Sequence, residues 1–493
     1  MASTRFGLLF AILCVVVGGC SSGRRAEPIE IAACALDRAS EDAAADPMIM
    51  HTEYIPDSWW ELFGDPQLTS FILTTFERNP TLQEARAHVM LSAFGADSVR
   101  ANLFPMVNWG GDILREKFSE TGLIPFVNPA STAPAAGGLP AQGGSGGIPV
   151  YFTQYETELT LAYNFDIWGK NRNTYQAALG QVQADIADEV FTRLQLGIAV
   201  AQVYYQLQID YRRRYIAQRL IHNLEKFLEL TRGRVKGNLE NSLSIPTAES
   251  RVSDAKSALL QIEGDIAVKE HQLRAFLAGD FEEEICPMSI SEKYLPAVPL
   301  PCDIPMHLLS NRPDIIRQLW LIESAGRQIE VAQAGFYPDF NITGLFGYQT
   351  LHLSKLFEWP SSYFNVDPAF TLPIFDGGRL IANLGGSEVN YDLAILEYNN
   401  LIINAVKEVL DGIAVLRNAE QQLQELKNKL HFQEEHYSLT NLRIAHNLNS
   451  DLDALVSEQS LIQARDQETV ALGNTIQAAL SLIKAIGGSY YAK

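Results

Sequence analysis

Residues 155–173 read YETELTLAYNFDIWGKNRN. Tyr155, Thr157, Leu159, Leu161, Tyr163 and Phe165 share one face, and Glu156, Glu158, Thr160, Ala162, Asn164 and Asp166 share the other. This is the period of two expected of a β-strand with one apolar and one polar side. From Lys170 the pattern turns helical and stays so to about Val235, which as a continuous helix would be ~100 Å long. A strand therefore runs into a very long helix with almost no loop between. The same join recurs at residues 374–383, IFDGGRLIAN, where a second helix would extend to about His446.

The chain repeats itself. Residues 79–109 align without a gap to residues 312–342, with Pro80 matching Pro313 and Pro105 matching Pro338, both 233 positions on. The polar tip GNLENSL (237–243) matches HNLNSDL (446–452), and each precedes a helical pattern that ends at a glycine, Gly279 or Gly488. The predicted order is helix, strand, loop, strand, long helix, tip and returning helix, twice over. The other strands alternate too. Val107, Trp109 and Ile113 oppose Asn108 and Asp112. Phe340, Ile342, Phe346 and Tyr348 oppose Asp339, Asn341 and Thr343. Phe364, Val366, Phe370, Leu372 and Ile374 oppose Asn365, Asp367 and Thr371. Each run has about ten residues and an aromatic-rich apolar face, the pattern of a tilted membrane-barrel strand.

In the helices, Val409, Leu416, Leu423, Leu430, Tyr437 and Ile444 recur every seven residues, a coiled-coil register. Leu207, Ile221, Leu228 and Val235 keep the same register, broken at Arg214. Ser244 can cap the first returning helix, with Pro246 in its first turn, and Asp451 or Asp453 can cap the second. Between the first two strands, residues 122–150 are uncharged and rich in Gly, Pro and Ala, and read as an exposed flexible loop. The Gly-x-Ser-x-Gly pattern at 143–147 sits in that glycine tract, without the flanking strand and helix a nucleophile elbow needs.

The bulk properties set limits. Of 493 residues, 47% are hydrophobic and 19% charged, and the formal net charge is −20. A strongly acidic chain is a poor partner for nucleic acid. Arg5 precedes the apolar run FGLLFAILCVVV (6–17), whose last valine opens VGGCSSG (17–23). The run suits a signal-peptide core, and Cys20 follows it where a bacterial lipoprotein signal is cleaved and the cysteine acylated. Of the other cysteines, Cys286 and Cys302 flank a proline-rich stretch and form either a disulfide or two free thiols. No phosphate-binding loop, zinc-protease motif or C-x-x-C pair is present, so no enzyme, no cofactor and no metal are expected. His431 and His436, with Glu435, are five positions apart and point different ways on a helix.

The lipobox followed by WWELFGDPQL, NPTLQEARAHV, LFPMVNW, AYNFDIWGK, RPDIIRQ, FYPDF and LPIFDGGR resembles the outer-membrane efflux channels of the TolC/OprM type, in their lipoprotein branch. The resemblance spans residues 57 to 489 and includes the duplication. It implies a mainly α fold with a membrane β-barrel portion, in which three copies share a twelve-stranded barrel and a coiled-coil periplasmic tunnel. On this reading residues 1–19 are the signal and 20–56 a lipidated tail. Residues 57–279 form the first repeat, with strands about 105–116 and 151–166 and helices 170–235 and 245–278. Residues 280–306, with the acidic run 282–284, form an equatorial linker. Residues 307–489 form the second repeat, with strands about 338–350 and 362–375 and helices 378–446 and 452–486.

The resemblance also assigns sites. Asp166, Gly169, Asp376, Gly377 and Gly378 mark the junctions between barrel and tunnel. Gly237, Asn238, Leu239, Asn447, Leu448 and Asn449 are tip residues that would meet a periplasmic adaptor protein. Leu452 and Asp453 fall at constriction positions of a periplasmic gate, although helix capping is an equal reading of Asp453. Val456 stands where the family often has a second Asp. Three copies of Asp453 would form a like-charge cluster with raised proton affinity and attraction for cations. The implied partners are outer-membrane lipid, the adaptor and an inner-membrane pump of the RND type, and the implied cargo is drugs or other small toxic compounds. Alternatives are an exit duct for type I secretion of polypeptides, or a non-conducting coiled-coil surface lipoprotein.

Overall fold

The computed structural model describes residues 27, 49–52, 57–117, 151–279, 298–301, 311–446 and 448–487. The readings of the signal, Cys20, the 122–150 loop, the 282–284 run, Cys286, Cys302 and Asn447 fall outside these residues. In chain order the elements are β1 (Ile49–Thr52), α1 (Pro66–Arg78), α2 (Pro80–Arg100), β2 (Met106–Lys117), β3 (Tyr151–Phe165), α3 (Lys170–Lys236) and α4 (Ser244–Leu277). They continue with β4 (Val298–Pro301), α5 (Pro313–Ala334), β5 (Asp339–Thr350), β6 (Ser362–Thr371), α6 (Arg379–Ala445) and α7 (Asp451–Ile486). Two compact units result, one made of residues 1–93, 180–323 and 390–493, the other of 94–179 and 324–389.

The first unit is helical. Its core gathers Trp59, Trp60 and Phe63 from a 3-10 turn, and Leu68, Ile72 and Phe76 from α1. Tyr204 and Tyr205 of α3, Val409 and Leu416 of α6, and Leu472, Ile476 and Ile483 of α7 join them. Burying each such side chain stabilises by about 1.5–3 kcal/mol relative to leaving it in water. Gly197 of α3 lets the rings approach closely here, since a Cβ would lie 3.2 Å from the Phe76 ring and 3.4 Å from Trp59. The turn and α1 are held by Asp65. Its carboxylate accepts the N–H groups of Gln67 (2.9 Å) and Leu68 (3.2 Å), and Tyr204 Oη lies 2.9 Å from its Oδ2. Burial, then the Asp65 carboxylate, pushes the Tyr204 phenol far above its ordinary pKa, so it stays a donor.

Proline opens α1, α2 and α5, at the position where its missing N–H leaves no intrahelical bond unmade. Arg312, just before α5, is buried and binds three elements. It reaches Asp314 at 2.9 Å, Glu408 of α6 at 2.6 Å and the Ala485 carbonyl of α7 at 2.7 Å. Burial works against its charge, but Asp314 and then Glu408 outweigh it and raise its pKa. Gly487 ends α7 with φ +93°, and a Cβ there would lie 2.8 Å from Arg312 Cγ. α7 is long and apolar enough to cross a membrane, yet most of its apolar stretch is buried in this core. A short parallel pair, β1 with β4, completes the unit.

The second unit carries a four-stranded antiparallel sheet in the order β2-β3-β5-β6. β2 and β5 have twelve residues each and begin directly after Pro105 and Pro338, the aligned prolines of the repeat. The register places Trp109, Leu159, Phe346 and Phe364 in one row across all four strands. A row of the opposite face holds Glu158, Gly347 and Tyr363. Gly347 is obligatory, because a Cβ would come within 2.6 Å of the Thr157 carbonyl and 2.9 Å of the Tyr363 ring. The ring crosses that gap, and its hydroxyl sits between Glu156 and Glu158, 3.0 Å from the latter. β6 ends at Thr371, not at 375 as the alternation predicts. Thr371 pairs with Asp339, the first residue of β5, so the ladder runs out there, and Leu372 and Ile374 continue the pattern in sequence but lie beyond the strand.

Candidate functional site

Two sets of residues stand where strands become helices and where helices turn. At the first junction, Asp166 accepts the N–H groups of Asn171 and Arg172, both at 2.9 Å, and pairs with the Arg172 guanidinium at 3.2 Å. At the second, Asp376 accepts those of Gly378 (3.0 Å) and Leu380 (2.8 Å). Each carboxylate thus satisfies donors that the first turn of a helix leaves free, where the helix dipole favours negative charge. Gly169, Gly377 and Gly378 have φ of +77°, +68° and +89°. A Cβ at Gly377 or Gly378 would meet no atom within 4 Å, so backbone conformation, not space, selects glycine there.

Sequence reasoning missed what ties the first junction to its neighbour. Trp168 stacks on Tyr337 with ring centroids 4.7 Å apart and donates its indole N–H to the Pro338 carbonyl at 2.8 Å. Lys170 approaches Asp339 at 3.6 Å. The paired motifs IWGK and FYPD were visible; that they meet depends on tertiary contact alone.

At the tips, α3 and α6 finish in the same way. The Leu239 N–H returns to the Arg234 carbonyl and the Leu448 N–H to the Arg443 carbonyl, both at 2.9 Å, bonds that satisfy carbonyls orphaned at a helix end. Asn238 takes the left-handed conformation at φ +57°, which Asn tolerates better than most residues. Gly237, Leu239 and Leu448 are exposed, Asn449 half-buried. The cap of α4 differs from the expectation. Ser244 is its first residue, not its cap; the N-cap position is Leu243, whose N–H donates to Asn241 Oδ1 at 3.1 Å. Ser450, not an aspartate, occupies the N-cap of α7, with Asp453 as its partner.

Leu452 is half-buried and Asp453 exposed. The Ser450 N–H and hydroxyl both donate to Asp453 Oδ2 at 2.9 Å. These bonds, the backbone one first, hold the Asp453 carboxyl below its ordinary pKa, and the charges of Arg234 and Arg443 add to the effect. Within one chain this opposes the raised proton affinity expected for it, because donors and cations favour the charged form. Behind the tip an open cleft of about 780 Å³ is lined in part by Arg234, Leu239, Tyr437, Asp451 and Leu455. Above it, α3 and α7 are joined by Arg212–Glu468 (3.0 Å), Arg213–Asp466 (3.0 Å) and Arg219–Glu458 (3.2 Å). Arg214, which breaks the heptad, lies over the Tyr211 ring at 4.7 Å. His431, Glu435 and His436 are all exposed on α6.

The profile of the outer membrane efflux protein family matches residues 73–279 and 304–488. The chain belongs to that family. The multidrug resistance outer membrane protein MdtQ of Escherichia coli O6:H1 is 30% identical over 445 residues, covering 88% of each chain. MdtP of Shigella flexneri is 29% identical over 453 residues, covering 88% of this chain and 86% of that protein. Two solved structures share the fold. The outer membrane protein VceC of Vibrio cholerae superposes with a TM-score of 0.74 at 24% identity, over 89% of this chain and all of its own. The CmeC outer membrane channel of Campylobacter jejuni gives 0.77 at 20% identity over 89% of each. The family is one of channels in efflux systems, and the chain is not an enzyme.

Proposed function

We propose that three copies of the chain form a passive exit channel of a tripartite efflux system, conducting drugs or other small toxic compounds across the outer membrane. The observation that carries this reading is the sheet. Its Trp109–Leu159–Phe346–Phe364 row lies on an apolar side open to the surroundings, and among the described residues no further strand pairs with either edge, β2 or β6. An apolar face and open edges are tolerated in a membrane only if the sheet closes. Three four-stranded sheets give a twelve-stranded barrel, an even-numbered antiparallel arrangement of the usual kind. Leu393, Leu396 and Ile403 form an exposed apolar stripe on α6, a surface that further copies would cover.

Cys20 would carry the lipid anchor, leaving the helices in the periplasm. The tips at Gly237, Asn238, Leu239, Asn447, Leu448 and Asn449 would receive a periplasmic adaptor, and an inner-membrane pump of RND type would supply the energy. Leu452 and Asp453 would narrow the closed channel at the tips, and adaptor binding would bias the helices apart. Asp166, Gly169, Asp376, Gly377 and Gly378 would carry the barrel into the tunnel.

Conductance in a planar bilayer tests this. The purified protein should show small cation-selective openings that grow in Leu452→Ala/Asp453→Ala. Ser450→Ala, which removes the cap but keeps the carboxylate, should leave them small. No conductance in any of these, despite membrane insertion, would refute the channel.

A further inference from the structure

The two faces of the sheet differ in the sign of their charge as well as in polarity. Asp112, Glu116, Glu156, Glu158, Asp339 and Asp367 are the acidic residues of β2, β3, β5 and β6, and all alternate onto the face that carries Tyr363. The basic residues of these strands are Arg115 and Lys117, and both alternate onto the other face, with Trp109 and Ile113. The ladder from Met106 to Lys117 runs without a slip. Lys117 Nζ lies over the Tyr151 ring, 5.2 Å from its centroid, on that same side. Both cations are exposed.

They also stand at one end. The helices join the strands at Met106, Phe165, Asp339 and Thr371, so Arg115, Lys117 and Tyr151 lie at the end away from them. At that end Phe357, between β5 and β6, is 77% exposed and meets the Tyr348 ring edge-on, with centroids 5.9 Å apart. The fold does not demand the cations: 233 positions on, the repeat has Tyr348 and Thr350 in their place. Charge on a lipid-facing strand is costly at mid-membrane and tolerated near the boundary, where a long basic side chain reaches the headgroups. Arg115 is two residues past Ile113, ~7 Å along the strand.

We propose that Arg115 and Lys117, with Tyr151, form a binding site for a phosphate-bearing lipid of the outer leaflet, repeated in each copy of the chain. The site rests on the reading of the sheet as lipid-facing with its helices in the periplasm, which puts this end outside. A guanidinium forks onto two phosphate oxygens, and the ammonium adds a point charge beside it. The apolar run from Val107 to Ile113 continues below, where acyl chains would lie. The carboxylates that would repel a phosphate are all on the other face.

Native mass spectrometry of the full-length protein in detergent, titrated with bisphosphorylated lipid A, tests the site. Arg115→Gln/Lys117→Gln should bind at least about tenfold more weakly, since each charged hydrogen bond lost is of that order. Dephosphorylated lipid A should bind the unaltered protein as weakly. Lys407→Gln/Lys429→Gln, which removes the same charge from α6, should change nothing. Arg115→Lys/Lys117→Arg should keep most of the binding, which a role in strand structure alone does not predict. Equal affinity for the two lipids, or equal weakening by both Gln double variants, would overturn the site. Conductance in phosphate-free bilayers separates this from the channel reading. Protein that inserts and conducts but has no preference for phosphate loses the site and keeps the channel; protein that does not insert loses both.

Discussion

Trp59 and Trp109 are the same residue type in opposite surroundings. Trp59 is 2% exposed, in edge-to-face contact with Trp60 and Phe63, while Trp109 is 77% exposed on a strand whose every residue is exposed. The helical unit solves the burial of its apolar groups within the chain. The sheet does not, and its apolar row is continuous across four strands. One region excludes water by its own packing; on the proposed function the other would use a membrane and further copies to do so.

The comparison can be broken in several places. Trp59→Ala should cost most, about 3–5 kcal/mol of stability, as for large aromatic deletions in packed cores; chemical unfolding followed by circular dichroism measures it. Phe364→Arg should cost ~2–4 kcal/mol at mid-membrane depth while Asn365→Arg on the opposite face costs little. Folding yield into lipid vesicles reads that difference, and equal costs would dissolve the distinction between the faces. Asp166→Ala and Asp376→Ala should each cost about 1 kcal/mol, the usual value of a lost helix cap, visible as faster hydrogen exchange at residues 170–173 or 379–382.

The smallest effect is a pH dependence at the tip. The folded pKa of Asp453 is lowered from the ordinary 3.8, so the cap contributes stability above that pH and loses it as pH falls through the lower, folded value. Exchange protection at the start of α7 should be flat from neutrality to about pH 4 and fall only below it. A fall near neutrality would instead support the like-charge cluster that raises proton affinity.

Much of this was legible in the sequence, for identifiable reasons. β3 announces itself because apolar and polar residues alternate along it, one face against the other, residue by residue. The prolines at 80 and 313 mark helix starts because only there is the missing N–H harmless. What stayed hidden depends on tertiary contact or local competition. Ser450 as the cap of α7 was obscured by two neighbouring aspartates, either of which could have served. The end of β6 was obscured because Leu372 and Ile374 keep the alternation after the partner strand β5 has run out at Asp339. Arg312, Trp168 and Tyr363 look unremarkable in sequence; their partners lie 96, 170 and 207 positions away.

The most direct measurement is single-cysteine labelling along β6, with Cys34, Cys286 and Cys302 changed to Ser and the protein in its membrane. Cysteines at 364, 366 and 370 should react with a lipid-phase reagent and resist a water-soluble one, and those at 363, 365 and 367 should do the reverse. A period of two in lipid access is the expected result. Uniform reaction with the water-soluble reagent along the strand would contradict the account, since the apolar row would then face water and not a membrane.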